Sequence, residues 1–271
     1  MKKIVILSLW VIFVIVLGVL SGFAISRHQQ RKCEKLFISI ERKSEDVFVT
    51  EEDIRMLLRD HEIKVEGAAV GDINIRQLEM LTATHPAVEF CEVFREINGD
   101  VHINIMQRRP VARVINLSNE SYYMDDNGKL MPWMHEYSAP VPVINGFVTE
   151  SYAGMYKLDL NSIHPDSVVK SSTVLDDVWN VMKAVRSDSL LNDLIVQVYV
   201  NQDRTLELIP RIGDHRILIG EAADLEEKIR KLLIFYKQGL NKTGKWKAYS
   251  VIDLRFKNQV VCTKKTNTNG I

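Results

Sequence analysis

The sequence has little cysteine and no excess of charge. Its three cysteines, Cys33, Cys91 and Cys262, are an odd number without a CxxC spacing, so neither a disulfide framework nor a zinc site is indicated, although a pairing of two of them stays open. The 35 lysines and arginines equal the 35 aspartates and glutamates, which argues against the basic face of a nucleic-acid-binding protein. With 46% hydrophobic and 26% charged residues, the chain has the composition of a folded protein, and disorder as its main state is excluded.

Catalytic and metal-binding motifs are also missing. The seven histidines show no HExxH or paired metal spacing, and no GxSxG elbow accompanies the serines. Gly239–Trp246 follows a phosphate-loop spacing but ends in tryptophan where magnesium would need a hydroxyl, so it is interpreted as a helix-to-strand connection. Asp125–Asn127 lacks the ligand order of a calcium loop and is interpreted as a hairpin tip. We therefore predict no catalytic residue, no cofactor and no metal from these motifs, while a site assembled from residues distant in sequence stays open.

The overall neutrality hides two unlike parts. Residues 1–35 carry six cations and one acid, a net charge of +5, so the rest of the chain carries −5. The cations lie on both sides of an apolar run, Ile4–Ile25, which has no charged residue. As a helix this run would be about 33 Å long, enough for a hydrocarbon core of about 30 Å, and it is apolar all round. We predict a transmembrane helix over residues 4–26, after a cytoplasmic head of three residues and before a linker over residues 27–35.

A cleaved signal peptide is the alternative to this anchor. Gly22 and Ala24 have the spacing of a cleavage site, but the run is longer than the usual signal core of about 7–15 residues. Charge counting alone would leave the body in the cytoplasm, whereas a long domain translocates largely regardless of charge. We expect a signal anchor with its amino end inside the cell and its body on the outer side of the membrane.

Beyond the linker, the chain divides near Pro110 into two predicted modules. In the first, residues 36–109, Thr50 and Asn74 are expected to cap two helices, because apolar positions with helical spacing follow each of them. Asn98-Gly99 joins two strand-like runs, which is a strong hairpin signal. The predicted order is strand, helix, helix, strand, strand.

The second module, residues 110–263, is rich in predicted strands. Helical periodicity is expected over Val174–Val185, after the possible caps Ser171 and Ser172, and over Leu225–Tyr236. Pro140–Gly146 is predicted to be an edge strand or a loop, because proline cannot donate to a ladder. Strands are predicted over Val111–Asn116, Ser121–Met124, Leu194–Val200, Thr205–Ile209, His215–Ile219, Ala248–Phe256 and Gln259–Thr263. The fold class is α+β, with a mixed β-sheet domain flanked by helices.

The end of this module offers a candidate binding surface. Tyr249–Phe256 has a long strand signal that ends in a charged and aromatic pair, and Gln259–Thr263 is the last strand before a polar tail, residues 264–271. A last strand often lies at a sheet edge, where free backbone donors and acceptors can pair with a strand of a partner. The alternative is that both strands are internal or that the edge is blunted.

Several segments, taken in order, resemble the bacterial cell-division family FtsQ/DivIB. The short head, the single span and the strand-helix-helix-strand-strand module are similar to that family, and so are five segments: His85-Pro86-Ala87-Val88, Arg109-Pro110-Val111-Ala112-Arg113, Tyr123-Met124-Asp125 with Gly128, Val141-Pro142-Val143-Ile144-Asn145-Gly146 and Ile252-Asp253-Leu254-Arg255-Phe256. The resemblance covers essentially the whole chain and looks most like members from Bacteroidota-like bacteria. Gln107 departs from it, since the family often has glutamate there, and residues 150–188 match little.

The resemblance implies a POTRA-like βααββ module for residues 36–109 and the family's β-domain for residues 110–263. It implies a bitopic scaffold of the division machinery and not an enzyme, a single-pass type II protein of the cell inner membrane with its body on the periplasmic side at the septum. Such a scaffold binds FtsB-like and FtsL-like membrane proteins and helps recruit and regulate septal peptidoglycan synthesis. The terminal strands of the β-domain would accept a strand of the FtsB-like partner. Arg255 would pair with a partner carboxylate, and Phe256 would be an apolar anchor unless it is a core residue. The partner-binding residues carried over are Tyr249, Val251, Arg255, Phe256, Val260 and Val261.

Other functions stay open at this point. A POTRA-containing envelope transport or assembly factor would usually carry this module as a repeat, and the sequence has one copy. A membrane-anchored envelope enzyme would need acid, base or nucleophile groups clustered in a cleft. A secreted, cleaved protein would lack the anchor.

Overall fold

The computed structural model describes residues 10, 12–19, 31–43, 45–134, 138–163 and 173–265. Residues 12–19 are helical, and most of the predicted span over residues 4–26 lies outside the described residues. A search of the described residues finds no helix with both the length and the apolar character of a membrane span. The chain divides into two compact units, residues 1–108 and 109–271.

The described part of the first unit is a three-stranded sheet with two helices, as predicted. The strand order is β1-β3-β2, with β1 parallel and β2 antiparallel to β3. Gly99, with φ +104°, adopts the left-handed conformation that the turn between β2 and β3 requires. In chain order, the elements are β1 (Leu36–Glu41), α1 (Glu51–Asp60), α2 (Ile75–Thr82), β2 (Val88–Arg95) and β3 (Val101–Gln107).

Both helices of this unit begin at the predicted caps. The Thr50 hydroxyl accepts a hydrogen bond from the Asp53 N–H at 3.2 Å, and the Asp53 carboxylate accepts one from the Thr50 N–H at 2.8 Å. The Asn74 side chain accepts from the Gln77 N–H at 3.1 Å. These bonds satisfy donors that the first turn of a helix leaves unpaired. The apolar positions that follow, Ile54, Leu58 and Leu78, are buried.

Gln107, at the end of β3, holds the chain segment that precedes α1. Its buried Oε1 accepts hydrogen bonds from the N–H groups of Phe48 at 2.8 Å and Val49 at 3.2 Å, and its Nε2 donates to the Asp46 carbonyl at 2.9 Å. This position needs one acceptor and one donor, which an amide supplies and an ionised carboxylate does not. The departure from the family's glutamate therefore has a local structural reason.

The described part of the second unit is built on a nine-stranded mixed sheet. Its order is β12-β11-β10-β9-β8-β7-β4-β5-β6, so β12 and β6 are the edge strands. Strands β4 and β7, β7 and β8, and β10 and β11 are parallel pairs, and the remaining neighbours are antiparallel. The strands are β4 (Pro110–Ile115), β5 (Ser121–Asp125), β6 (Leu130–Pro132), β7 (Val143–Gly146), β8 (Ile195–Val200), β9 (Leu206–Pro210), β10 (Arg216–Gly220), β11 (Tyr249–Asp253) and β12 (Val261–Lys264).

Helices pack against this sheet around one apolar core. The core joins Val178 and Trp179 of α4 and Leu232 of α6 to alternate residues of the strands, such as Val198 and Ile217. Both predicted helices are present, whereas β6, α3 and α5 were not predicted, and the proposed caps Ser171 and Ser172 lie outside the described residues. The helices are α3 (Tyr152–Met155), α4 (Leu175–Arg186), α5 (Ser189–Leu194), α6 (Leu225–Ile234) with a π-helical continuation (Phe235–Leu240), and α7 (Asn241–Thr243), besides a 3-10 turn (Leu160–Ser162).

The prediction of an edge strand or loop over Pro140–Gly146 is wrong for its second half. Val143–Gly146 forms β7, which lies between β4 and β8 in the middle of the sheet. The prolines precede the strand, so no ladder donor is lost. Gly146 has φ +97°, and a Cβ there would lie 2.3 Å from the carbonyl oxygen of Val200, so the approach of β7 to β8 requires glycine.

Candidate functional site

Among the described residues, strand β12 pairs with β11 alone and forms an open edge of the sheet. The Lys265 N–H donates to the Ala248 carbonyl at 3.0 Å, and the Thr263 carbonyl also faces β11. Along a strand, the backbone groups of alternate residues point to the same side. Cys262 and Lys264 therefore direct their N–H and C=O groups toward the open side of β12. An internal position for both strands is wrong, because only β11 is internal.

Arg255 lies beyond the end of β11, which stops at Asp253 and not at Phe256 as predicted. Its Nε donates to the Asp253 carboxylate at 2.9 and 3.1 Å, and its Nη2 donates at 2.6 Å. These hydrogen bonds raise the pKa of Arg255. Burial by itself would raise the pKa of Asp253, but the hydrogen bonds from Arg255 outweigh it and the pKa lies below its usual value. Arg255, the arginine predicted to bind a partner, thus already pairs with an acidic residue of its own chain.

The ion pair leaves part of Arg255 accessible. Its described bonds use Nε and Nη2, and 52% of its side-chain surface is exposed. A guanidinium has five N–H donors in a planar fork, so a second carboxylate can still bind from outside.

Phe256 and Val261 are the apolar members of the predicted set that face solvent. Phe256 is 45% exposed and Val261 is 41% exposed, so the alternative that Phe256 is a core residue is wrong. The Lys231 ammonium of α6 donates to the carbonyls of Leu254 at 3.2 Å and Phe256 at 2.6 Å, and thereby fixes the backbone around Arg255.

The other three predicted residues are less accessible. Tyr249 and Val251 lie in β11 and are half-buried, and the Tyr249 ring packs 6.0 Å from the Phe235 ring. Val260 is half-buried against the core and precedes β12. The structure brings all six residues to β11, β12 and the connection between them, but Arg255, Phe256 and Val261 offer most of the exposed surface.

An open hollow of about 560 Å³ borders Arg255. Asp203 and Glu207 contribute carboxylates to its lining, and their negative charges also raise the pKa of Arg255. Gly220 allows the backbone of β10 to pack closely against the Arg255 side chain, because a Cβ there would lie 2.9 Å from the Arg255 Cγ. Asn201 adds an amide to the same lining. The hollow therefore suits a polar or basic side chain of a partner next to the arginine.

Sequence reasoning missed Asp253 and Lys231 as parts of this site. The signal for Asp253 was present, because an aspartate side chain often accepts a hydrogen bond from the N–H two residues later, as Asp253 does from Arg255 at 3.0 Å. Lys231 had no such signal, since its contact with the Leu254 and Phe256 carbonyls depends on how α6 packs.

The three cysteines are free thiols, Cys91 is buried as expected, and its burial raises the pKa of its thiol to about 11. Within the described residues, no group of His, Cys, Asp and Glu could hold a metal ion.

Comparison with known proteins decides the family. The model of the family "FtsQ/DivIB, C-terminal related" matches residues 109–263, which is more than half of the chain. The chain belongs to the FtsQ/DivIB family. A POTRA-like domain model matches residues 31–106, in agreement with the βααββ order of the first unit of this chain.

A relative within the FtsQ/DivIB family is also similar over both units. The "Cell division protein FtsQ" of Rhodothermus marinus is 25% identical over 203 residues, which are 74% of this chain and 69% of that protein. The recognition of the family from ordered short segments is therefore confirmed, and family membership points to a role in cell division.

Proposed function

We propose that the protein is a bitopic membrane scaffold of the cell-division machinery that binds its partners through the open edge at β12. Membership of the FtsQ/DivIB family supports the division role. The apolar run Ile4–Ile25 supports a single membrane span, with the body on the periplasmic side of the inner membrane at the septum. In this proposal the two units, a POTRA-like domain and a β-domain, follow the head, the span and the linker.

The observation that carries the proposal is the combination of an unpaired strand edge with exposed side chains beside it. Cys262 and Lys264 offer two N–H and two C=O groups, so an added strand can form up to about four backbone hydrogen bonds, each with a net value of about 0.5–1.5 kcal/mol. This is modest, so side chains must add to the affinity. Phe256 and Val261 supply apolar contacts, and Arg255 supplies a charged one.

We propose that the partner is an FtsB-like bitopic protein whose strand pairs with β12, together with an FtsL-like protein in the same complex. The partner strand would bring a carboxylate to Arg255 and an apolar side chain to Phe256, with Tyr249, Val251, Val260 and Val261 forming the surrounding surface. A scaffold of this kind helps to recruit and regulate septal peptidoglycan synthesis and needs no chemistry of its own. Because both chains would be anchored in one bilayer, weak contacts act at a raised effective concentration.

Substitution of the two exposed side chains tests this site. Phe256→Ala and Arg255→Glu should each weaken binding of the FtsB-like partner by about tenfold or more, the effect of losing roughly 1.4 kcal/mol at a binding hot spot. The measurement is a binding titration of the full chain in detergent micelles, with circular dichroism to verify folding.

Two control variants match these changes in kind. Leu117 is an exposed apolar residue, 56% accessible, in the turn between β4 and β5, and Lys129 is an exposed cation in the turn after β5. The sheet order places five strands between β4 and β12. Leu117→Ala and Lys129→Glu should therefore leave the affinity unchanged. A folded Arg255→Glu, Phe256→Ala double variant that binds normally would disprove the proposed site.

A further inference from the structure

The hairpin between β2 and β3 carries an unusually exposed apolar residue. Ile97 is 89% exposed, more than any other large apolar side chain in the described part of the chain. Phe94, three residues before Ile97, and Phe37 both pair with His102 on the outer face of the sheet and are 40% and 43% exposed. Their rings stack on the two sides of His102, with centroids 5.0 and 4.7 Å from the imidazole. We call Phe37, Phe94 and Ile97 the hairpin-end patch.

The chain enters the first unit at this same end. The Val70 N–H donates to the carbonyl of Arg31 at 2.8 Å, and the Lys35 N–H donates to the Asp100 carboxylate of the hairpin at 2.9 Å. A Cβ on Gly99 would lie 3.8 Å from the Lys32 carbonyl oxygen. Residues 31–35 and the hairpin tip are therefore immediate neighbours.

Covalent geometry limits how far this end can be from the membrane. The proposed span ends at residue 26, and five peptide units separate it from Arg31. At no more than about 3.6 Å per residue, they cover about 18 Å at most. The headgroup layer on one side of a bilayer takes up roughly 5–8 Å of that distance. If the proposed span is correct, the hairpin-end patch is held next to the membrane surface.

We propose that the hairpin-end patch inserts into the outer interface of the bilayer in which the chain is anchored. Ile97 enters the boundary of the acyl region, and the edges of the Phe37 and Phe94 rings lie at the headgroups. One isoleucine and parts of two rings are too little to hold a free domain on a membrane. The short tether supplies the effective concentration that makes such a weak contact persistent.

The charges at this end indicate that the contact is apolar rather than electrostatic. The entering segment and the hairpin carry a nearly balanced mixture of four cations and three acids, of which only Asp100 is half-buried: Arg31, Lys32, Lys35 and Arg95 against Glu34, Glu96 and Asp100. A mixed set gives little net attraction to anionic lipids, whereas a basic cluster would give a strong one. Insertion should therefore depend little on anionic lipid or on salt.

A spin label at the tip tests this proposal in the full chain. The nitroxide is attached to Ile97→Cys. Cys262 is replaced by serine because it is partly accessible to the label, whereas Cys33 and Cys91 are buried and are kept. The matched control is Phe90→Cys. Phe90 is 59% exposed on the same face of the sheet as Phe94, but it lies about 17 Å from Arg95, the last residue of β2 before the turn. The chain is reconstituted in phosphatidylcholine vesicles with and without phosphatidylglycerol. Collision of the label with oxygen, relative to a water-soluble nickel chelate, is then measured.

We expect the oxygen-to-nickel ratio to be several-fold higher at position 97 than at position 90, with and without phosphatidylglycerol and at high salt. Equal ratios at the two positions in an anchored chain would overturn the inference alone. Dipolar broadening between labels at position 97 would assign the patch to a second copy of the chain and overturn it as well. Because the inference rests on the proposed span, vesicle flotation after an alkaline wash is a separate readout: a chain that washes off refutes the span and the inference together.

Discussion

At the level of single residues, replacing the buried amide of Gln107 tests how much its hydrogen bonds stabilise the first unit. Gln107→Glu replaces the donor to the Asp46 carbonyl with an oxygen, so that this hydrogen bond is lost and a negative charge is buried. We expect a loss of roughly 1–3 kcal/mol in the free energy of unfolding, the cost of removing one partner of a buried hydrogen bond. Denaturant titration measures it.

A matched change at the surface should have little effect. Gln202 lies in an exposed turn, so Gln202→Glu is expected to change the unfolding free energy by no more than about 0.5 kcal/mol. Equal stability of the Gln107→Glu variant and the original chain would mean that the three hydrogen bonds of the amide are not important for the fold.

The buried pair of His215 and Tyr236 predicts a pH-dependent stability. The His215 side chain is 2% exposed, and its Nε2 lies 2.8 Å from the Tyr236 hydroxyl. Burial lowers the pKa of His215, an effect to which the nearby Lys265 adds and which Asp214 and the carbonyls of Gly213 and Trp246 oppose. The unfolded chain therefore takes up a proton first, near its ordinary pKa of about 6.5, so stability falls as the pH falls below that value.

We expect the free energy of unfolding to decrease between pH 7 and pH 5, and His215→Gln to make that decrease shallower. One proton contributes at most about 1.4 kcal/mol per pH unit. Denaturant titrations at several pH values give the slopes, with His61→Gln as a variant at an exposed histidine. Identical slopes for the His215→Gln variant and the original chain would contradict this role of the buried imidazole.

Local chemistry explains which residues could be assigned from sequence. Thr50 and Asn74 were recognisable as caps because a cap depends on residues three positions away. The exposure of Phe256 was not recognisable, because it depends on where β11 ends and on how Lys231 of α6 holds the following turn.

At the level of elements, the direction of the backbone groups on β12 allows a sharp comparison of two neighbouring residues. Lys264 points its N–H to the open side, so Lys264→Pro should remove one donor to the partner strand and weaken partner binding while the unit stays folded. Thr263 points inward, so Thr263→Pro should break a ladder bond to β11 and lower the unfolding free energy, by about 3 kcal/mol if its cost resembles that of proline within a helix.

Partner binding titrations and thermal unfolding of both variants separate the two effects. Both side chains are exposed, so a loss of side-chain packing would not explain a difference between the two variants. If Lys264→Pro bound the partner normally while the chain stayed folded, strand addition at β12 would be excluded.

Strand β7 shows why element prediction failed where it did. A Pro-Val-Pro segment is typical of an edge or a loop when only neighbouring residues are considered. Its central place depends on pairing with β8, whose residues are more than fifty positions away in sequence, with Asn145 opposite Tyr199. Hairpins such as β2 and β3 depend on adjacent residues, and their turn was therefore predictable.

At the level of the whole molecule, the proposed span should determine where the protein acts, while the proposed binding edge should determine what it binds. A chain exported through a cleavable signal without residues 1–26 should bind the isolated partner with unchanged affinity and accumulate less at the division site, because the effective concentration in a shared bilayer is lost. Fluorescence microscopy and a binding titration measure the two properties.

A chain in which an unrelated single span replaces residues 4–26 is the control, and it should regain the division-site signal. Equally strong accumulation of the exported chain without any span would show that membrane anchoring contributes nothing to its localisation.

In the proposed complex, the contacts around Arg255 would affect the entropy of binding. Lys231 holds the carbonyls on both sides of Arg255, Asp253 holds its guanidinium, and Gly220 packs against its Cγ. The segment is thus already ordered before a partner arrives, so binding has little conformational freedom left to remove on this side. The ordering cost falls mainly on the incoming strand, and variation among partners in their own stiffness should control how long a complex lasts.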